Sequence, residues 1–273
     1  MRARPAAVPA WALAAALLSS APSAAAPPAG DVYELSRSRE IAILTVSAAS
    51  FAAPRLFWDG LGREPCPCDA GSLNSLDRGT AGRRDDGAST ASDVALALAV
   101  AAPFAIDYLD IKSGGSSAGF DRDAVVMLEA LALSSGVNQL VKTATHRPRP
   151  LLYGLEPGDP ALNEADNYRS FYSGHTSSAF AVGVAYARTY ALRHPGSDAH
   201  WAVYGGAVLA GAAVGALRVA AGKHFPTDVL VGAAVGTAIG LLAPALHGPK
   251  PLGGGSISYA PSGLVFRITI PLR

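Results

Sequence analysis

Six apolar stretches, each near the length of a helix that crosses a bundle or a bilayer, are separated by breaks rich in Pro, Gly and Asp. Apolar runs of that length, punctuated in that way, make the expected fold an all-α bundle of about six helices. The stretches cover residues 41–58, 92–109, 121–143, 174–192, 201–219 and 227–246. The first is expected to end near Pro54. Ser92 or Asp93 reads as the N-cap of the second. The third is acidic at its start and basic at its end, as the helix dipole prefers. Its interior holds Glu129, Asn138 and Gln139, so one of its faces meets something polar. Pro226 stands at the first-turn position of the last helix, where its missing N–H costs nothing. Residues 59–93 read as a long exposed loop with a short helix near 73–77. From Gly253 the pattern changes to alternating β-formers around Pro261-Ser262-Gly263, which predicts a short C-terminal β-hairpin.

Composition narrows the function classes. Half of the 273 residues are hydrophobic, 16% are charged and the net charge is +1. A nucleic-acid binder would carry a basic surplus, so that class is set aside. Arg2 and Arg4 precede an apolar run from Val8 to Leu18 and small residues through Ala26, the layout of a secretory signal cleaved after Ala25 or Ala26. An uncleaved anchor is the other reading, but the run falls short of the roughly 20 residues a span needs. The expected division is a signal at 1–26, an N-terminal helix and polar loop at 27–91, a core bundle at 92–246 and a β-like tail at 247–273. Cys66 and Cys68 are the only cysteines. They are too few for a zinc site, and an exported protein either pairs them or leaves them as thiols.

Three clusters at helix boundaries carry chemistry. The first, from Lys142 to Pro150, gathers Lys142, Arg147 and Arg149 where prolines break a helix, and arginine's forked donors suit phosphate oxygens. Alone it is a basic helix end facing water. The second, Ser170 to Thr176, places Ser173 and Gly174 before a helix whose free amides favour an anion. Alone it is a serine cap. The third runs from Arg218 to Asp228 and sets a carboxylate four residues after His224, a spacing that can orient the imidazole. Lys223 lies beside that histidine, and His146, His194, His200 and His247 fall in loops or at helix ends.

Taken together, the clusters resemble the type 2 phosphatidic acid phosphatase superfamily, which includes bacterial acid phosphatases and vanadium haloperoxidases. Its first motif, Lys, six residues, Arg-Pro, matches Lys142 and Arg149-Pro150. Its second, Pro-Ser-Gly-His, matches Ser173-Gly174-His175, with Tyr172 in place of the proline. Its third, Ser-Arg, five residues, His, three residues, Asp, matches Arg218, His224 and Asp228, with Leu217 in place of the serine. The resemblance implies that His224 attacks phosphorus to form a phosphohistidine. Asp228 would orient His224, and His175 would protonate the leaving oxygen and then activate water. Lys142, Arg149, Ser173, the Gly174 amide and Arg218 would hold the phosphoryl oxygens. The two histidines would need opposite protonation states.

The expected activity is therefore hydrolysis of phosphomonoesters without a metal or other cofactor. A membrane bundle would take lipid phosphates or polyprenyl diphosphates, and a soluble one small phosphomonoesters. The expected place is the cell envelope: the inner membrane with the site facing the periplasm, or the periplasm itself. A vanadium-dependent haloperoxidase on the same scaffold and a catalytically silent membrane protein are the alternatives. Intact His175, His224 and Asp228 count against the second.

Overall fold

The computed structural model describes residues 31–57, 66, 68–248, 255–260 and 263–268, the last two as backbone. The signal-peptide reading lies outside them. Six long helices form the bundle: α1 (Arg37–Phe57), α3 (Asp86–Ser113), α4 (Phe120–Thr145), α5 (Gly174–Arg193), α6 (Ala199–Ala220) and α7 (Pro226–His247). A single turn, α2 (Ser75–Arg78), precedes α3, and β1 (Gly255–Ala260) pairs antiparallel with β2 (Gly263–Ile268).

Two boundaries differ from the sequence reading. Pro54 lies inside the end of α1 rather than terminating it. α3 starts at Asp86, with the Asp85 side chain accepting from the Ala88 amide at 2.9 Å, so Asp85 is the cap and Ser92 and Asp93 are interior. The preceding segment is also less exposed than expected: Asp77 and Thr80 are buried. Cys66 and Cys68 form a disulfide beside Leu151, Leu152 and Tyr168.

α5 is the axis of the bundle, buried without interruption from Thr176 to Ala187. Its neighbour α7 carries Gly232, Gly236 and Gly240, one helical face at i, i+4 spacing. A Cβ at these positions would come within 2.7 Å of the Ser173 carbonyl, 2.3 Å of Ser177 and 2.7 Å of Ala181. The two backbones thus touch, which fixes the start of α7 against the start of α5. Around this axis the outer faces are apolar: Leu98 on α3, Leu209 on α6 and Leu230 on α7 are each more than 60% exposed. Among the described residues, four helical segments, Asp86–Ser113, Phe120–Leu152, Ala199–Ala220 and Pro226–His247, are long and apolar enough to cross a membrane. The alternation of directions brings the end of α4, the start of α5, the end of α6 and the start of α7 to one pole. The start of α1 and the end of α7 meet at the other, where Glu34 N–H donates to the His247 carbonyl at 3.0 Å.

Candidate active site

All three motifs lie at the first pole, tied to one another through the backbone. Ser173 N–H donates to the Asp228 carbonyl at 3.1 Å, Ser170 N–H to Arg147 at 2.9 Å, and Leu151 N–H to Gly222 at 3.2 Å. Gly222 has φ +68°, and a Cβ there would lie 1.7 Å from the Arg83 carbonyl, so only glycine lets the 83–85 segment dock on the third motif. Gly174 is tight for a similar reason. Its missing Cβ makes room for Asn138 Oδ1, 2.6 Å from where that carbon would stand, and Asn138 in turn donates to the Tyr172 carbonyl at 2.8 Å. Close packing, rather than ligand approach, is what the glycine serves on that side. Ser173 is buried and caps α5, its Oγ accepting from Thr176 N–H and lying 2.9 Å from Thr176 Oγ1.

His224 is 1% exposed. Its Nδ1 is 2.6 Å from the Ser170 carbonyl, which can only accept, so Nδ1 carries the hydrogen and Nε2 keeps its lone pair. Asp228 does not touch the ring as expected. Its Oδ2 is 3.8 Å from Nδ1 and instead accepts from Ser170 Oγ at 2.5 Å and Phe225 N–H at 2.9 Å. Asp228 therefore acts on the imidazole through Ser170 and through the backbone that follows His224. Its other oxygen accepts from Arg147. Arg147, stacked 4.3 Å over Phe225, also donates to Asp77 at 2.7 Å.

Burial, followed by the charges of Lys142, Arg149 and Arg218, holds the His224 imidazole neutral well below its ordinary value. The same three cations are therefore near enough to act on the ring. Lys142 makes no hydrogen bond or ion pair among the described residues, and the buried Nε atoms of Arg149 and Arg218 have no partner. Arg149 is held from one side by Asp166 at 2.6 Å, and Arg218 by Ser92 Oγ at 3.1 Å and Asp93 at 3.4 Å. Where Leu217 leaves Arg218 without a preceding serine, α3 supplies a hydroxyl. His175 Nε2 is 2.8 Å from Asp93 Oδ1. Burial and then Arg218 outweigh Asp93 at His175, so both histidines sit in a field that resists protonation, where the resemblance implied opposite states. An anion brought beside His175 would oppose that field and favour the protonated ring. Lys223, lowered by burial and then by Arg149 and Arg218, adds a cation at the rim.

Sequence reasoning missed Asp77, Asp93, Asp166 and the bridging role of Ser170. Only Ser170 lay inside a recognised cluster. The others belong to segments that read as loop or cap.

The field around His224 makes a checkable prediction. Replacing Lys142 with Met removes a like charge, so the His224 imidazolium becomes less unfavourable and its pKa rises toward the ordinary value. Ring-nitrogen NMR across a pH series should show this upward move. An unchanged or lower titration would place Lys142 away from the ring.

Residues 123–251 match the family model described as the PAP2 superfamily. Among solved structures, a transmembrane PAP2-type phosphatidylglycerolphosphate phosphatase from Bacillus subtilis is similar at 22% identity. That similarity covers 77% of this chain and 87% of that one with a TM-score of 0.42. No curated protein matches. The segment 123–251, which holds all three converging motifs, belongs to the PAP2 superfamily.

Proposed function

We propose that the protein is a phosphatase of the cell-envelope membrane that hydrolyses lipid phosphomonoesters through a phosphohistidine on His224. The observation that carries the reading is the pair of buried, unpartnered Nε donors on Arg149 and Arg218, with the half-buried Lys142 acting on the same ring, beside a histidine whose Nε2 lone pair is fixed by the Ser170 carbonyl. Buried cations in such number need an anion, and three of them suit the three equatorial oxygens of a phosphoryl group in transfer.

In the first step the Nε2 lone pair bonds phosphorus as the ester P–O bond breaks, and His175 gives its proton to the departing oxygen. In the second, neutral His175 takes a proton from water, the water oxygen bonds phosphorus and the P–N bond breaks. Phosphate leaves and both rings return to their starting states. The cations and the Gly174 amide stabilise charge on the phosphoryl oxygens throughout.

The exposed apolar faces of α3, α6 and α7 and the four candidate spans support a bilayer setting and hence a lipid leaving group. The cradle would then face the side opposite to the one that holds the start of α1 and the end of α7.

Separation of membranes from soluble extract, with both fractions assayed against a lipid phosphate and a chromogenic phosphomonoester, tests the proposal. Membrane-bound turnover of the lipid phosphate, inhibited by vanadate, is expected. Turnover confined to the soluble fraction and the chromogenic ester would overturn the lipid assignment. Vanadate-dependent bromination without phosphatase turnover would overturn the reaction itself.

A further inference from the structure

At the pole opposite the cradle, α1, α4 and α7 bring together Glu40, Glu129 and His247, none of which the phosphatase chemistry uses. His247 Nδ1 is 2.7 Å from the Ala243 carbonyl, an acceptor only, so Nδ1 carries a hydrogen. Nε2 then faces two carboxylates, with Glu40 Oε2 and Glu129 Oε2 each at 2.8 Å. The one hydrogen position on Nε2 is aligned with Glu40. Glu129 is fully buried, and neither of its oxygens accepts a hydrogen bond from any described residue. A carboxylate taken wholly out of water that shares a single imidazole nitrogen with a second carboxylate is left short of positive charge.

We propose that Glu40, Glu129 and His247 form a binding site for one divalent transition-metal ion, which clasps α1 to α4 and α7. The ligand atoms, His247 Nε2 and one oxygen of each glutamate, lie within 4.8 Å of one another. Bonds of ordinary zinc length in a tetrahedron set ligand atoms about 3.3 Å apart, so each glutamate oxygen, now 2.8 Å from His247 Nε2, needs to move from that nitrogen by only about half an ångström. Two carboxylates and a neutral imidazole balance the charge of the ion. A mixed nitrogen and oxygen set suits zinc or manganese better than magnesium or calcium. The surroundings are those of a ligand set held in place. The Nδ1 hydrogen bond fixes the His247 tautomer, and Ser36 N–H at 2.7 Å and Arg39 at 3.1 Å hold Glu40 Oε1, which leaves Oε2 for the ion. Glu40 is partly open to solvent, which gives the ion a way in.

This site stands apart from the phosphatase reading, and neither depends on the other. The test uses the full chain, stripped with chelator and dialysed, then titrated calorimetrically with zinc and melted with and without it. Glu129→Gln and His247→Gln are run in parallel, and magnesium is the hard-ion control. Wild type is expected to take up one equivalent of zinc with micromolar or tighter affinity. At about a hundredfold excess over Kd its Tm should rise by roughly 5 °C or more. Glu129→Gln keeps the shape of the side chain and should bind on the order of 100-fold more weakly. Should His247→Gln fail to fold, the comparison with Glu129→Gln decides. Stripped wild type that takes up no stoichiometric zinc would show that the His247 imidazole alone joins the two carboxylates, and the site would be withdrawn. Equal zinc binding by wild type and Glu129→Gln would place the ion at another histidine, with the same consequence.

Discussion

Replacing His224 with Asn is expected to lower kcat by on the order of 10^4-fold while leaving vanadate affinity within a few-fold of wild type. Asn is the informative choice because its side-chain amide can reach the Ser170 carbonyl that Nδ1–H holds at 2.6 Å. The floor of the cradle then stays in place while the lone pair at Nε2 is lost. His224 is almost wholly buried, so alanine would also leave a cavity and confuse a folding defect with a chemical one. The charges of Lys142, Arg149 and Arg218 remain in the variant, and their anion site should persist. Rapid acid or base quench with a labelled substrate separates the roles further. Wild type should yield an acid-labile, base-stable phosphoprotein and the Asn variant none. Turnover at the parental rate in the variant would remove the covalent step from the mechanism.

The helices were largely legible because each is announced within its own residues. The last four match their sequence limits to within two residues at nearly every end, and Pro226, the acidic start of α4 and the breaks at Pro148 and Pro150 are all local signals. The start of α3 was not legible. Gly87, Ser89 and Thr90 are weak helix formers, and Ser92 and Asp93 would make good caps on their own. Tertiary contact overrides that preference: Asp93 is needed inside the helix to meet His175 and Arg218, and Ser92 to meet Arg218.

The site divides in the same way. The three motifs meet at one pole because helix ends set them there and backbone hydrogen bonds tie them. Asp77 and Asp93 lie 70 and 82 residues from Arg147 and His175, and Asp166 sits in the loop after the first motif; none of them carries a local pattern. Asp228 shows the limit most clearly. Its i+4 spacing from His224 implied a direct hydrogen bond, but at the entry to α7 the first-turn amide of Phe225 claims the carboxylate. The link to the ring then passes through Ser170.

The Asp77–Arg147–Asp228 bridge carries the largest expected effect on stability. Both carboxylates are fully buried, and Arg147 lies between them with its face on Phe225 and a further bond to Thr227 Oγ1 at 2.9 Å. Arg147→Met keeps the apolar stem but leaves two buried carboxylates beside one another without the cation that both use. Breaking a buried pair in this way costs about 3–5 kcal/mol. In a chain of this size that lowers Tm by on the order of 10 °C. Activity should fall roughly 100-fold as well, since Arg147 holds Asp228, which holds Ser170 against the nucleophile. Introducing Asp77→Asn into the Met variant should restore part of the lost stability, because the amide removes one charge and still accepts from Thr227 N–H. Acid supplies an independent readout. Burial alone would raise the Asp77 pKa, but hydrogen bonds from Thr227 and Arg147 outweigh it and hold the carboxyl below its ordinary value. A depressed folded-state value stabilises above the unfolded pKa and is lost as pH falls through the folded one. The gap between wild type and Arg147→Met should therefore be widest near neutrality and narrow below about pH 4. A gap that stays constant with pH, or a Met variant that Asp77→Asn destabilises further, would mean that Arg147 supports the site through packing on Phe225 and not through its charge.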